Sequence, residues 1–241
     1  GWELSRSSGC WVSLKAITEV MDSSQVVDVE PSRIEIKIPT DFELPADGVH
    51  IRWPDSPQAQ EERLNRYKIY SAIAFARANG LNKIVVDSKA PKLGIITTGK
   101  SYLDVRQALA DLGIDDQLAC DIGIRVFKVG MSWPLDPVLT HEFAKGLEEV
   151  LVVEEKRSIL EDQLTGQLYN WPVEERPRVI GEFDEQRNVL LPNTTELTPA
   201  MIARVIADRI KQFYTSEVVQ ERLEFLNKKE EALAKPRTGI D

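Results

Sequence analysis

The stretch from Lys92 to Leu112, KLGIITTGKSYLDVRQALADL, constrains the fold of this chain more than any other. Leu93, Ile95 and Ile96 make a short apolar run, and Thr97, Thr98 and Gly99 end it, which predicts a buried strand entering a glycine turn. Ser101 stands where a helix N-cap belongs, with Asp104 completing an approximate capping box. Tyr102, Val105, Leu109 and Leu112 recur at helical spacing, and Gly113 is the expected stop. The same unit repeats downstream. A strand at Arg125–Val129 leads to a helix capped by Asp136, with Pro137 at its first position, running through Phe143 and Leu147. A third strand, Val150–Val153, leads to a helix near Ser158–Tyr169 carrying Ile159, Leu160, Leu164 and Leu168, and a last strand is expected at Arg178–Phe183. Strands alternating with helices predict an α/β fold, a mostly parallel open sheet with helices on both faces.

The same stretch contains a decoy. Gly94–Ser101 reads G-I-I-T-T-G-K-S, which fits the P-loop pattern letter for letter. A working P-loop needs a strand that ends at its first glycine and a loop whose amides wrap a phosphate. Here the apolar run follows Gly94, so this glycine is expected inside a strand. A nucleotide-binding domain using Lys100 and Ser101 is therefore the alternative reading, and a plain glycine turn the favoured one. On the favoured reading Lys100→Ala falls in the range of surface substitutions, about ±0.5 kcal/mol.

Upstream, Trp11, Leu14, Ile17, Thr18 and Met21 share a face of a helix-like patch, and a strand is expected at Gln25–Val29. Residues 31–57 are proline-rich, with the alternation Arg33-Ile34-Glu35-Ile36-Lys37-Ile38 reading as a half-exposed strand. Pro57–Gly80 reads as a long helix, charged in its first half and apolar in its second, followed by a short edge strand at Ile84-Val85-Val86. Downstream, Thr198 caps a helix with a buried stripe of Ile202, Val205, Ile206, Ile210 and Phe213. Ser216–Lys235 is highly charged, with Val218, Leu223, Phe225 and Leu226 on a narrow face. These shifts divide the chain into residues 1–91, a core domain at 92–185, and a helical extension at 186–241 leading toward a next domain.

The 30 basic and 39 acidic residues give a net charge of −9, which argues against a nucleic-acid partner and suits a cytoplasmic protein. No apolar run reaches the length of a membrane span, so no membrane partner is expected. Gly1-Trp2-Glu3-Leu4 lacks the regions of a signal peptide, and the absence of an initial Met reads as a piece of something longer. Cys10 and Cys120 are the whole cysteine complement and form no C-x-x-C pair, so they read as free thiols in a reducing compartment.

In open parallel sheets ligands sit outside the carboxyl ends of the strands. Three loops should gather there: Thr97-Thr98-Gly99-Lys100-Ser101, Gly130-Met131-Ser132-Trp133 and Glu154-Glu155-Lys156-Arg157. Hydroxyls, a lysine and paired carboxylates suit an anion site or a docking surface. The competing structural reading has the carboxylates pair with Lys100, Lys156 or Arg157 and fix the loops. His50 and His141 have no partner at metal-ligand spacing, and neither G-x-S-x-G nor G-x-G-x-x-G occurs. No catalytic, cofactor-binding or metal-ligating residue is assigned.

The runs KLGIITTGKSYLDVRQALADLGID, IGIRVFKVGMSWPLDP, EFAKGLEEVLVVEEKRSILEDQL and QLYNWP resemble the indolepyruvate ferredoxin oxidoreductase family, in particular its long fused bacterial form. SGCWVSLK, IRWPD and YKIYSAIAFARANGLNKIVVDS extend the resemblance over nearly the whole chain. It implies a parent enzyme that oxidatively decarboxylates aryl 2-oxo acids to acyl-CoA with thiamine diphosphate, Mg and [4Fe-4S] clusters, passing electrons to ferredoxin. It also implies that residues 1–91 are the tail of the pyrimidine-binding thiamine domain plus a connecting helix, and that 92–185 are transketolase C-terminal-like. The family's G-D-G motif and cluster cysteines are missing here, and its catalytic carboxylate would lie before Gly1. The chain is thus expected to be a non-catalytic assembly segment that holds no cofactor itself. Its expected partners are the remaining domains of a homo-oligomeric parent and, through it, ferredoxin and CoA. Thr97, Thr98, Gly99, Lys100, Ser101, Glu154, Glu155, Lys156 and Arg157 are its candidate docking surface. A stand-alone binding module using the same sheet edge is a further alternative.

Overall fold

In a computed structural model, which describes residues 1–234, the chain forms two compact units, Gly1–Leu81 and another beginning at Asn82. In the first, α1 (Trp2–Ser8) packs on the apolar half of a long helix. That long helix runs as α3 (Pro57–Arg63), a π-helical turn at Leu64–Lys68, and α4 (Ile69–Ala78), with Ser56 capping its start. Ala72 to Ala76 are buried, as the apolar second half of the helix requires. The expected helix through Trp11 and Leu14 does not form. Gly9 ends α1 in the left-handed conformation, and the Ser8 hydroxyl donates to Leu4 O while accepting from Cys10 N. Only α2 (Thr18–Met21) is helical there, and the expected strands at Gln25–Val29 and Arg33–Ile38 have no ladder partner among the described residues.

The second unit is built on a five-stranded sheet: β1 (Lys83–Val86), β2 (Leu93–Thr98), β3 (Ile124–Val129), β4 (Glu149–Val153) and β5 (Arg178–Ile180). The spatial order is β1-β3-β2-β4-β5, with β1 antiparallel at one edge and the others parallel. This is the mostly parallel α/β sheet that the alternation predicts. The connections explain its two covered faces. Leu93 and Ile95 of β2 face a cluster that includes α5 (Gly99–Asp111), α6 (Asp116–Ile122) and α9 (Pro199–Ile210), with Val219 of α10 (Glu217–Ala234). Ile96 faces the opposite cluster, which holds Phe143 of α7 (Pro137–Ala144) and Leu160, Leu164 and Leu168 of α8 (Leu160–Leu168). Helices therefore cover both faces.

Several boundaries move, each for a local reason. Strand β2 runs on to Thr98, whose hydroxyl donates to Val129 O at 2.8 Å, so α5 begins at Gly99 and Ser101 lies buried inside it rather than capping it. Helix α7 stops at Ala144, and Gly146 turns the chain with φ +80° before Leu147. Strand β5 stops at Ile180, and Phe183 bridges Val189 instead. The expected divisions at 91/92 and 185/186 also differ from the structure. Strand β1 belongs to the sheet, and residues beyond 185 complete its core, since Leu191, Leu197, Ile202, Ile206 and Ile210 join the cluster over β2. On α10, Val219, Leu223 and Leu226 pack inward while Val218 and Phe225 point out, correcting the expected face.

A buried ion pair fastens α9 to the sheet. Arg209 Nε donates to Glu149 Oε1 at 2.7 Å, and its Nη2 reaches Glu149 Oε2 and Glu185. The hydrogen bond to Glu149 leads the effects that raise the Arg209 pKa above its ordinary value. Arg209→Ala should cost about 3 kcal/mol, because it removes the buried guanidinium and leaves Glu149 only the half-exposed Arg178, whose Nη1 lies 3.4 Å from Oε2. Replacing both residues by apolar ones of similar size should recover most of that loss in urea unfolding. Equal destabilisation in single and double variants would refute the pairing as the cause.

Candidate functional site

The parallel register brings the carboxyl ends of β2, β3 and β4 together, Thr98 opposite Val129 and Thr97 opposite Val153. Helix α5 leaves β2 toward one face and α8 leaves β4 toward the other. The crevice between β2 and β4 is thus the switch point at which open α/β sheets hold ligands. In this chain it is filled by the chain itself. Lys100 Nζ donates to Asp104 Oδ2 at 2.9 Å, Glu155 Oε1 at 3.3 Å and Leu197 O at 3.2 Å. Glu155 Oε1 also accepts from Leu197 N at 3.1 Å. One lysine therefore ties α5, the loop after β4 and the segment leading to α9. Partial burial pulls the Lys100 pKa down, but its bonds to Asp104 and Glu155 outweigh this and leave it raised.

The other expected residues divide between inward and outward roles. Both Glu154 oxygens accept from the backbone N–H groups that open α8, at Ile159, Leu160 and Glu161. This carboxylate is a helix cap reached from the preceding loop, favoured by the partial positive charge of a helix start. Thr97 is fully buried, and its Oγ1 has no hydrogen-bond partner among the described residues. Gly99 (φ +56°), Lys156 (φ +68°) and Arg157 are exposed, and Trp133, in the loop after β3, is 65% exposed. Of the two sequence readings, the pairing of Glu155 with Lys100 that fixes the loops is what the geometry contains. The P-loop geometry is absent. Gly94 pairs with both Arg125 and Val150 inside the sheet, and a Cβ there would stand 2.7 Å from Phe143 Cζ.

Three polar residues that no motif announced hold this edge. Asn82 Oδ1 accepts from Gly130 N and Met131 N, both at 2.9 Å, setting the loop after β3. Gln163 accepts from Leu135 N and donates to Ser132 O, so α8 braces the same loop. Glu161, on the next turn, accepts from Glu182 N at 3.2 Å. Burial raises its pKa, against that backbone bond, and the Glu154 and Glu182 carboxylates add to the rise.

The resemblance implies thiamine diphosphate, Mg and [4Fe-4S] clusters in the parent enzyme. Two cysteines cannot supply the four thiolates of a [4Fe-4S] cluster, and no three His, Cys, Asp or Glu among the described residues are placed to hold a metal. A [4Fe-4S] cluster therefore does not fit this chain's residues, and no chemical step is assigned to one.

The class defined by this fold and edge is an α/β domain whose switch-point crevice is closed by its own side chains. A family profile described as "Indolepyruvate ferredoxin oxidoreductase middle domain" matches residues 82–236, and the chain belongs to this family. It is 41% identical over 122 residues to the indolepyruvate oxidoreductase subunit IorA of Pyrococcus horikoshii, covering 48% of this chain and 16% of that protein. Against IorA of Methanothermobacter marburgensis it is 29% identical over 169 residues, covering 68% of this chain and 25% of that protein. The chain thus spans between 16% and 25% of the length of these relatives. Among solved structures it is similar to a 2-oxoglutarate:ferredoxin oxidoreductase from Magnetococcus marinus, with a TM-score of 0.42, 17% identity, and coverage of 70% of this chain and 26% of that one. A split-gene transketolase in an inactive β4 tetramer aligns with a TM-score of 0.36 at 16% identity, covering 55% of this chain and 42% of that one.

Two predictions follow from the geometry of the edge. Lys100→Ala should cost about 1–3 kcal/mol, because it leaves Asp104 and Glu155 without their shared donor. That exceeds the surface range expected from sequence, while ATP with magnesium should leave the melting temperature unchanged. A Lys100→Ala loss inside the surface range, or a nucleotide-dependent shift, would count against this account. For Glu161 the sign is set by its raised folded pKa. The folded state holds the proton more tightly, so stability falls as pH rises from the ordinary value of 4.5 toward the folded one. Glu161→Gln should remove that fall, read as a stability difference from wild type that grows across this window and then levels off.

Proposed function

We propose that this chain is a non-catalytic structural and assembly segment of an indolepyruvate ferredoxin oxidoreductase. The parent enzyme would oxidatively decarboxylate aryl 2-oxo acids to acyl-CoA in the cytoplasm, using thiamine diphosphate and iron–sulfur clusters and delivering electrons to ferredoxin. The observation that carries the reading is the family match over residues 82–236 in a chain spanning a quarter or less of its relatives. The closed crevice supports it, since Lys100 and Glu155 spend their charge on the chain's own loops. Among the described residues no helix is long and apolar enough to cross a membrane.

The carboxyl edge of the sheet is then the docking surface for the other domains. Of its inward members, Thr98, Lys100, Glu154 and Glu155 hold the loops through their side chains, and Thr97 and Ser101 are buried beneath them. Its outward members, Gly99, Lys156 and Arg157, meet the partner, and the exposed Trp133 belongs to the loop after β3 at the same end of the sheet. Two exposed cations suit an acidic face. In the full-length enzyme, reversing Lys156 and Arg157 to Glu should weaken assembly and lower turnover together, with the unfolding of the 241-residue chain unchanged. Reversing Glu154 and Glu155 should instead destabilise the chain itself. Unaltered assembly in the Lys156/Arg157 variant would remove the docking role, and indolepyruvate turnover by the chain alone would overturn the whole reading.

A further inference from the structure

The segment Ile34–Ile38 has the composition of a strand and no strand beside it. Ile34, Ile36 and Ile38 are 64%, 41% and 73% exposed, and none makes a backbone hydrogen bond among the described residues. One side of the segment is already held. The Asn79 side-chain amide accepts from Lys37 N at 2.8 Å and donates to Lys37 O at 2.8 Å, as a neighbouring strand would. An N–H and a C=O of one residue that reach the same amide point the same way, which is the geometry of extended backbone. Ile34 is itself extended, at φ −111° and ψ +105°. In extended backbone the polar groups of successive residues point to opposite edges. Asn79 thus covers the edge of Lys37, and the edge carrying the N–H and C=O of Ile34, Ile36 and Ile38 is open.

The sequence on that edge matches itself. When two copies of Arg33-Ile34-Glu35-Ile36-Lys37-Ile38-Pro39 run antiparallel about Ile36, Ile36 faces Ile36 and Ile34 faces Ile38. Glu35 of each copy then faces Lys37 of the other. The isoleucines fall at hydrogen-bonded pairs, which use the open edge. The charged residues fall at the non-hydrogen-bonded pairs, where side chains lie closest and opposite charges help most. Pro39, which has no N–H, falls on the edge turned away from the partner, where none is needed. Parallel pairing would instead set Glu35 beside Glu35 and Lys37 beside Lys37.

We infer that Ile34–Ile38 is an isologous interface, through which two copies of this chain pair their strands antiparallel about Ile36. Such a contact is two-fold by construction, as closed homodimers require. A lone two-stranded ribbon is marginal in water. A weak contact corresponds to a Kd of about 1 mM, so sedimentation of the 241-residue chain should be followed up to about 0.5 mM. The wild-type chain should show a concentration-dependent dimer. Glu35→Lys and Lys37→Glu should each weaken it by about tenfold or more, because each puts like charges on both sides of the axis. An equimolar mixture of the two single variants should restore the dimer, because every cross-strand pair is then opposite in charge. The double swap Glu35→Lys/Lys37→Glu should restore it too. A wild-type chain that stays monomeric across the range overturns the inference. So does a dimer that the single reversals leave intact, since that dimer would be held elsewhere.

Discussion

Strand β2 is hydrogen-bonded along both edges and covered on both faces, and the second unit is arranged around that constraint. Its register runs from Leu93 to Thr98 against β3 and from Leu93 to Thr97 against β4. A strand enclosed on four sides can carry polar side chains only where it ends, which is where Thr97 and Thr98 stand. Gly94 belongs to the same constraint. With no side chain it lets Phe143 and Leu147 of the α7 segment approach the backbone, and a Cβ there would collide with both. The glycine that begins the nucleotide-loop pattern is therefore a packing residue.

Charge follows the same economy. Where α9 covers the sheet, Glu149 and Arg209 meet with little water between them, and Glu185 and Arg178 satisfy the remaining positions. At the opposite end of β4, Glu154 neutralises the start of α8 and Glu155 meets Lys100. Carboxylates that look in sequence like a surface cluster are each consumed by a helix start or a cation. Lys156 and Arg157 of the same loop stay exposed, in a chain whose net charge is −9.

What the sequence makes legible is what periodicity encodes. The apolar runs at Leu93, Arg125 and Val150, the Asp136-Pro137 start of α7 and the Thr198-Pro199 start of α9 stand where the spacing puts them. Boundaries are less legible because a single tertiary bond moves them, as the Thr98 hydroxyl does by joining Val129 O instead of leaving the N-cap to Ser101. The residues that set the edge are the least legible. Asn82 and Gln163 act through one side chain each, on loops distant in sequence, and a lone amide carries no spacing to read. The same holds for Glu149 and Arg209, 60 residues apart.

The first unit shows the converse. Alternation at Arg33–Ile38 is strand chemistry, yet a strand exists only in pairs, and the described residues offer only Asn79. A pattern of period two fixes which backbone edge and which side-chain face are available, but not who answers them. In the sheet, β2 finds its partners in later parts of the same chain, so pattern and structure agree. At Ile36 the open edge is complemented by the segment itself, read in reverse, with Glu35 and Lys37 exchanging places about the axis. The same rule that buries β2 thus leaves Ile34–Ile38 unsatisfied among the described residues of one copy and, on the pairing proposed, satisfied within two.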